Sequence, residues 1–301
     1  MQFVVILVLA FAPGIFWLWM VVRRDRFRPE PRALVTRTFL WGAAVAVPVA
    51  AVESLLVYLF DPQALEPLAD VRLPIGTAAY MSFIVAGITE ELGKYLVVRR
   101  TVYRSLYFDE PMDGLVYASA SALGFASLEN VGYLMVYGWE AILLRGPFST
   151  LAHVLFSAMW GYPLGISKVN PSRTAARVWL GLAASMLTHG LFDFLLFTES
   201  AYSYLTIPLF IAAGAVFLLM LRRAARVSPF REMIGHLMAA CPSCGERIPY
   251  HARYCTSCGT VLGATRANGP AFCGRCGATL HRRARYCPSC GARLLRGNSA
   301  P

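Results

Sequence analysis

A chain of 301 residues that is 57% hydrophobic, only 15% charged and of mean hydropathy +0.52 is not an ordinary soluble domain, where about a quarter of residues are charged. The net charge of +11 could suggest nucleic acid, but the basic residues fall in short clusters between long apolar runs, the pattern of a membrane protein. Seven runs approach the ~20 residues that a spanning helix needs: residues 3–22, 39–60, 74–98, 112–137, 148–167, 178–197 and 205–221.

The gaps between runs differ in charge. Odd-numbered gaps hold fifteen Lys and Arg residues, from Arg23 to Arg226, and even-numbered gaps hold only Arg72 and Arg145. The positive-inside rule then makes the basic gaps cytoplasmic, with the N-terminus outside and the C-terminus inside. The first run has no basic start and is followed by Arg23 and Arg24, so it reads as a retained anchor rather than a signal peptide. The basic loop that follows contains Pro29 and Pro31, which cannot continue a helix.

The second run carries one acid, Glu53, whose role the sequence leaves open, and an acidic loop spans residues 61–70. The third contains Thr89-Glu90-Glu91-Leu92-Gly93-Lys94. A charge at bilayer depth costs about 2.5–3.5 kcal/mol on insertion scales, so such residues face a bundle interior or a wet cavity and mark function. Glu90 and Lys94 stand four apart with the acid first, the favourable order for pairing on one helix face. Glu91 points about 100° away, which predicts a different job for it. Nine residues separate Glu90 from Arg99 and twelve separate Arg177 from His189, or about 13 and 18 Å of helix, so the two groups reach similar depth.

The fourth run is crowded with Ala, Ser and Gly between Ala118 and Ser127, as expected of a central helix whose backbone its neighbours approach closely. Its outer half holds Glu129-Asn130, which needs a partner. The fifth carries His153 with Ser157 four residues on, and the sixth carries His189 with Asp193 four residues on. Asp193 is placed to hold one nitrogen of His189 and fix its tautomer. A lone buried histidine is usually a hydrogen-bonded core group, and a lone Glu–Lys pair is as well read as an inter-helix staple. Eight such groups on four helices are hard to explain structurally. Glutamate and histidine together activate water, or bind a hydrolytic metal with a position left open. Proton or ion transport uses the same groups. There is no HExxH motif.

In order along successive helices, Glu90-Glu91-x-x-Lys94, Phe125-x-x-x-Glu129-Asn130, His153-x-x-Phe156-Ser157 and His189-x-x-x-Asp193 resemble the PrsW-type intramembrane proteases, in the wider clan of CAAX proteases and bacteriocin-immunity proteins. Pro29-Glu30-Pro31 and Pro111-Met112-Asp113-Gly114 are similar to that family too, and the likeness covers roughly residues 10–197. The resemblance implies hydrolysis of membrane-anchored substrates such as anti-sigma factors. It implies Glu90, Glu91, Glu129, His153 and His189 as the catalytic set, with Lys94, Asn130, Ser157 and Asp193 supporting them. His153 and His189 become candidate ligands of a catalytic divalent metal, and a metal-dependent and a glutamate-based mechanism both stay open.

All eight cysteines follow the last run, as Cys241, Cys244, Cys255, Cys258 and, each 32 residues further on, Cys273, Cys276, Cys287, Cys290. Two copies of C-x2-C-x10-C-x2-C, with Gly245, Gly259, Gly277 and Gly291 where a knuckle needs positive φ, predict two closed four-thiolate zinc sites, a double zinc ribbon. A full shell of thiolates leaves no open position for catalysis, and a cytoplasmic tail argues against disulfides. From Arg231 on, ten arginines face two glutamates, a net +8 that suits anionic lipid headgroups; without an aromatic platform, nucleic acid is not the expected partner.

The expected architecture is an all-α polytopic membrane protein of about seven transmembrane helices followed by a small cytoplasmic double zinc ribbon. Its parts are a membrane-embedded protease domain (1–227), a linker (228–240) and ribbons at 241–262 and 273–295. The expected partners are a membrane-anchored protein substrate, the bilayer, and a cytoplasmic protein bound by the ribbons. The competing readings are a non-catalytic sensor or scaffold working through its ribbons, and an ion-coupled transporter.

Overall fold

The computed structural model describes residues 2–60, 73–171, 174–198, 200–231, 238–249, 257–260, 271–272 and 279–280. The acidic loop 61–70 and the cysteines at 255, 273, 276, 287 and 290 lie outside the described residues. The chain divides into two compact units, Met1–Ser228 and Pro229–Pro301.

Every regular element among the described residues of the first unit is a helix. Its elements are α1 (Gln2–Val22), α2 (Arg32–Phe60), α3 (Ile75–Ala79), a π-helical stretch (Tyr80–Ile88), α4 (Thr89–Thr101), α5 (Pro111–Tyr137), α6 (Glu140–Leu144), a second π stretch (Arg145–Ser149), α7 (Thr150–Val169), α8 (Thr174–Phe197), a 3-10 turn (Ala201–Leu205) and α9 (Thr206–Val227). The seven apolar runs thus all fold as helix. α2 starts well before its run, because the helical turn is set by Pro31, whose carbonyl accepts from the N–H groups of Leu34 and Val35. α5 opens on Pro111, where a missing N–H costs nothing, and ends at Gly138 with φ +78°.

Length and composition alone qualify four helices of the described residues to cross a membrane: Phe3–Val22, Arg32–Phe60, Ala175–Phe197 and Ala201–Val227. The other three segments carry Glu90, Glu91, Lys94, Glu129, His153 and many of the small residues, which lowers their hydropathy, and the third run changes helix type midway. The lipid-facing character of the outer helices is seen in side chains such as Phe16, Trp41, Leu59, Leu180, Ile207 and Ile211, all exposed.

The basic gaps converge at one end of the unit. Arg28 pairs with Asp109, Arg37 Nη2 donates to the Thr101 carbonyl at 2.8 Å, Lys168 Nζ lies 4.4 Å from the Tyr103 ring centroid, and Ser228 Oγ donates to Glu110. The long helices therefore alternate in direction.

α5 is the hub, as its small residues predict, and nearly every side chain from Pro111 to Ser127 is buried. A Cβ added at Gly124 would lie 1.9 Å from the Phe39 carbonyl oxygen, and one at Gly114 would lie 2.1 Å from that of Gly161. Only glycine lets α2 and α7 approach so closely. Strands in the described residues belong to the second unit, where β1 (Met238–Ala240) pairs antiparallel with β2 (Arg247–Pro249), and β3 (Ala271–Phe272) with β4 (Thr279–Leu280). β1 falls inside the stretch expected to be a linker. Gly124→Val is expected to destabilise the membrane unit by at least the about 1–3 kcal/mol typical of overpacking, read as a lower melting temperature and loss of detergent-stable protein, with Gly124→Ala intermediate.

Candidate active site

The π stretch widens the helix just before Thr89-Glu90-Glu91, a device common near functional sites. α4 then presents Glu90, Glu91 and Lys94 to the interior, all buried. Lys94 Nζ donates to Glu90 Oε2 and Glu91 Oε1, each at 2.9 Å, and lies 2.8 Å from His153 Nδ1. The expected Glu90–Lys94 pair is present, and Glu91 joins it as an i,i+3 partner of the same ammonium.

The two glutamates have different surroundings. Glu91 is fully buried: its Oε2 accepts from Ser157 Oγ (2.7 Å), Ser185 Oγ (2.8 Å) and Trp160 Nε1 (3.0 Å), while His189 Nδ1 lies 3.2 Å from Oε1. Its oxygens are saturated by donors from α4, α7 and α8. Glu90 instead lines a cavity of about 660 Å³ together with Glu53, Glu129, Arg145, His153, His189 and Asp193. Apolar side chains of α2 and α5, such as Val47, Val57 and Leu128, form much of its wall.

His153 Nε2 is 3.1 Å from Glu129 Oε2, and Glu129 Oε1 pairs with Arg145 Nη2 at 2.8 Å. His189 Nε2 is 3.4 Å from Asp193 Oδ2 and 3.8 Å from Glu90 Oε2. The rings are held by aromatics of the same motifs: Phe156 stacks on His189 with centroids 5.2 Å apart, and Lys94 Nζ lies 4.5 Å over Phe125. Asn130 sits behind the site, donating to Thr150 Oγ1 (3.1 Å) and the Ala10 carbonyl (3.3 Å) and accepting from Arg145 Nε (3.3 Å).

The structure thus brings Glu90, Glu91, Lys94, Glu129, His153, Ser157, His189 and Asp193 into one network, with Asn130 bracing its rim. It adds Arg145, Trp160, Ser185 and Glu53. Arg145 had a signal, being one of two basic residues in the even-numbered gaps; Trp160 and Ser185 had none, since each looks like ordinary helix filling. Glu53 accepts from Thr89 Oγ1 at 2.7 Å.

Glu90, His153 and His189 can each offer a ligand atom, all within 4.8 Å of one another. Two imidazoles and a carboxylate at the edge of an open cavity fit a catalytic divalent metal, whose donor set characteristically leaves positions for water and substrate. Lys94 already supplies a positive charge beside the same donors.

In the second unit, Cys241, Cys244 and Cys258 also present ligand atoms within 4.8 Å, with Cys241 Sγ and Cys258 Sγ 3.6 Å apart. Gly245 and Gly259 take φ +73° and +71°, as the knuckle pattern predicts, and Cys241 N–H donates to the Glu246 carbonyl at 2.8 Å.

Fold and site together define a polytopic helical membrane protein with a buried glutamate–lysine–histidine centre open to a cavity, and a cysteine-rich zinc-binding tail. Residues 30–221 match the model of the PrsW family intramembrane metalloprotease, and residues 241–291 match that of the double zinc ribbon. The chain belongs to the PrsW family of intramembrane proteases and is a peptidase. The protease PrsW of Geobacillus kaustophilus is 31% identical over 193 residues, covering 64% of this chain and 80% of that relative. That of Bacillus subtilis is 29% identical over 198 residues (65% and 85%), and that of Oceanobacillus iheyensis 29% over 213 (71% and 93%). No solved structure matches the chain.

Two measurements check this geometry. Ser157→Ala, Ser185→Ala and Trp160→Phe each leave Glu91 one donor short, and each is expected to cost about 1–3 kcal/mol of stability, read as a lowered melting temperature. Replacing Cys241 and Cys244 with Ser is expected to remove one zinc ion per chain by elemental analysis while the membrane unit melts as before.

Proposed function

We propose that this peptidase cleaves single-span, membrane-anchored proteins, an anti-sigma factor being the type of substrate, with water activated in the cavity that Glu90 lines. The observation that carries this reading is the asymmetry of the glutamates: Glu90 faces the cavity between His153 and His189, whereas Glu91 is locked behind it.

The apolar wall of the cavity receives the substrate segment as extended backbone, and the polar floor meets its scissile carbonyl. Glu90 takes the proton of the attacking water and passes it to the leaving amine. The imidazoles of His153 and His189, fixed by Glu129 and Asp193, stabilise the developing oxyanion. Were a divalent metal bound, Glu90, His153 and His189 would hold it, with Glu90 then a ligand in place of the free base, and the metal would supply Lewis-acid polarisation of the carbonyl and a more acidic water. Glu91 holds Lys94 and His189 in place, and Lys94 holds Glu90 and the Nδ1 edge of His153. Arg145 orients Glu129.

The likeness in length and order of the helices to the sequence pattern supports seven membrane crossings, with the basic end cytoplasmic, the N-terminus outside and the membrane domain ending near residue 227. Cys255 would complete the first zinc site. Cys273, Cys276, Cys287 and Cys290 would form the second. The ribbons, cytoplasmic in this arrangement, bind a regulatory protein partner.

In proteoliposomes carrying a single-span substrate, Glu90→Gln is expected to lower cleavage by at least about 100-fold, the scale of general-base loss, with insertion and melting temperature close to wild type. Glu91→Gln is expected to lower both activity and melting temperature. Normal cleavage by Glu90→Gln would remove the glutamate from the chemistry, and ion flux lost in Glu129→Gln would favour a transporter.

A further inference from the structure

A second group of buried acids lies at the other end of α5, in a part of the fold that the peptidase chemistry does not use. Asp25 follows α1, Glu110 caps α5 and Asp113 lies in its first turn, and none is more than 5% exposed. Each offers one carboxylate oxygen, and the three lie within 4.8 Å of one another. From Asp113 to Glu129 is sixteen residues, or about 24 Å of helix, so this group is remote from the cavity.

Each of the three acids has spare acceptor capacity. Asp113 Oδ2 accepts from the N–H groups of Asp109 (2.7 Å) and Glu110 (2.8 Å), while its Oδ1 is buried without a hydrogen bond. Glu110 Oε2 accepts from Ser228 Oγ, and its Oε1 is likewise unsatisfied. Asp25 is buried with neither oxygen hydrogen-bonded. Four carboxylate oxygens are therefore left over in one place, and a buried acceptor without a partner normally costs about 1–3 kcal/mol, more for a charged group.

The side chains that press on them are largely acids as well. Glu30 accepts from the hydroxyl of Tyr117 and lies against Asp113, and the Arg28 guanidinium is bonded to Asp109. Burial pushes the carboxyl of Glu30 up to about 7 and that of Glu110 to about 8, and raises Asp25 as well, against the weaker opposing pull of the N–H dipoles of Arg28 and Glu30, which lie near it outside hydrogen-bond geometry. All the candidate donors are hard oxygens, the ligand type that calcium and magnesium select over zinc.

We infer that Asp25, Glu110 and Asp113 form a binding site for a hard divalent cation, separate from the catalytic centre and the zinc ribbons. Such an ion joins the loop after α1 to the start of α5. Through the bond from Ser228 to Glu110 it also secures the residue that follows α9. The role is structural: it fixes one end of the helix that carries Glu129 at the other.

The test is equilibrium dialysis of chelator-treated, full-length protein in detergent against radioactive calcium, with magnesium as competitor, in a Glu90→Gln background that disables the catalytic donor set. One calcium ion per chain, displaced by magnesium or not, is the expected result. It should be lost in Asp25→Asn and in Glu110→Gln, with binding restored in Glu110→Asp to a weaker level. Calcium should also raise the melting temperature of the unsubstituted protein but not that of Asp25→Asn. Absence of stoichiometric calcium or magnesium at millimolar concentration in the Glu90→Gln protein overturns the site, whatever the folding of the other variants. So does binding that Asp25→Asn and Glu110→Gln leave unchanged. Neither result bears on whether Glu90 activates water.

Discussion

Lys94 Nζ lies within 2.9 Å of Glu90 Oε2, Glu91 Oε1 and His153 Nδ1 in a side chain with no solvent exposure. Two carboxylates on consecutive residues repel one another, and neither could stay charged at this depth alone. One ammonium between them compensates both and draws in a histidine from α7. Removing one partner of a buried ion pair typically costs about 3–5 kcal/mol, because the partner left behind is buried and unpaired. The same contact therefore binds α4 to α7 and sets where Glu90 faces. Stability and site geometry are here one interaction.

The helices around this ammonium can come together because α5 offers almost no side-chain bulk. Gly124 lets α2 reach its backbone, and Gly114 admits Gly161 and Gly165 of α7. Ser121 Oγ donates to the Lys94 carbonyl at 3.0 Å, which adds a direct tie from α5 to α4 at the level of the site. Without close packing at these points, Glu129 could not reach His153 on the neighbouring helix. Apolar matter does the complementary task at the outer faces, where large side chains are left to lipid.

Much of this was legible because charges in an apolar run are costly. Glu90, Lys94, His153, His189 and Glu129 stand out for that reason, and helix arithmetic from the basic gaps was enough to place Glu90 and His189 at a common depth. The partners that saturate Glu91 were not legible, because Trp160 and Ser185 are unremarkable in a membrane helix until their direction is known. The difference between Glu90 and Glu91 was legible only as an angle. Which of the two faces a cavity depends on α7 and α8, several helices away in sequence. Helix α2 begins before its apolar run for a simpler reason: Arg32, Thr36, Arg37 and Thr38 interrupt the hydropathy of its first two turns, although Pro31 marks the true beginning.

The two ends of α5 handle buried acid in opposite ways. At the Glu129 end the carboxylates have cations built in: Arg145 pairs with Glu129, and Lys94 sits between Glu90 and Glu91. These charges come from the chain itself, so the centre is assembled by folding and remains polar without being starved of partners. At the Asp113 end the contacts seen among the described residues come from backbone N–H groups and Ser228, with Arg28 bonded to Asp109. Hydrogen bonds of this kind satisfy some oxygens but bring no compensating charge to Asp25, Glu110 and Asp113. An acid cluster provided with its own cations is suited to hold a reacting group at a cavity, whereas one left short of them is suited to receive a cation from outside. The same helix thus connects a centre completed by folding to one whose carboxyls burial holds toward the protonated form until a cation from solution displaces the protons.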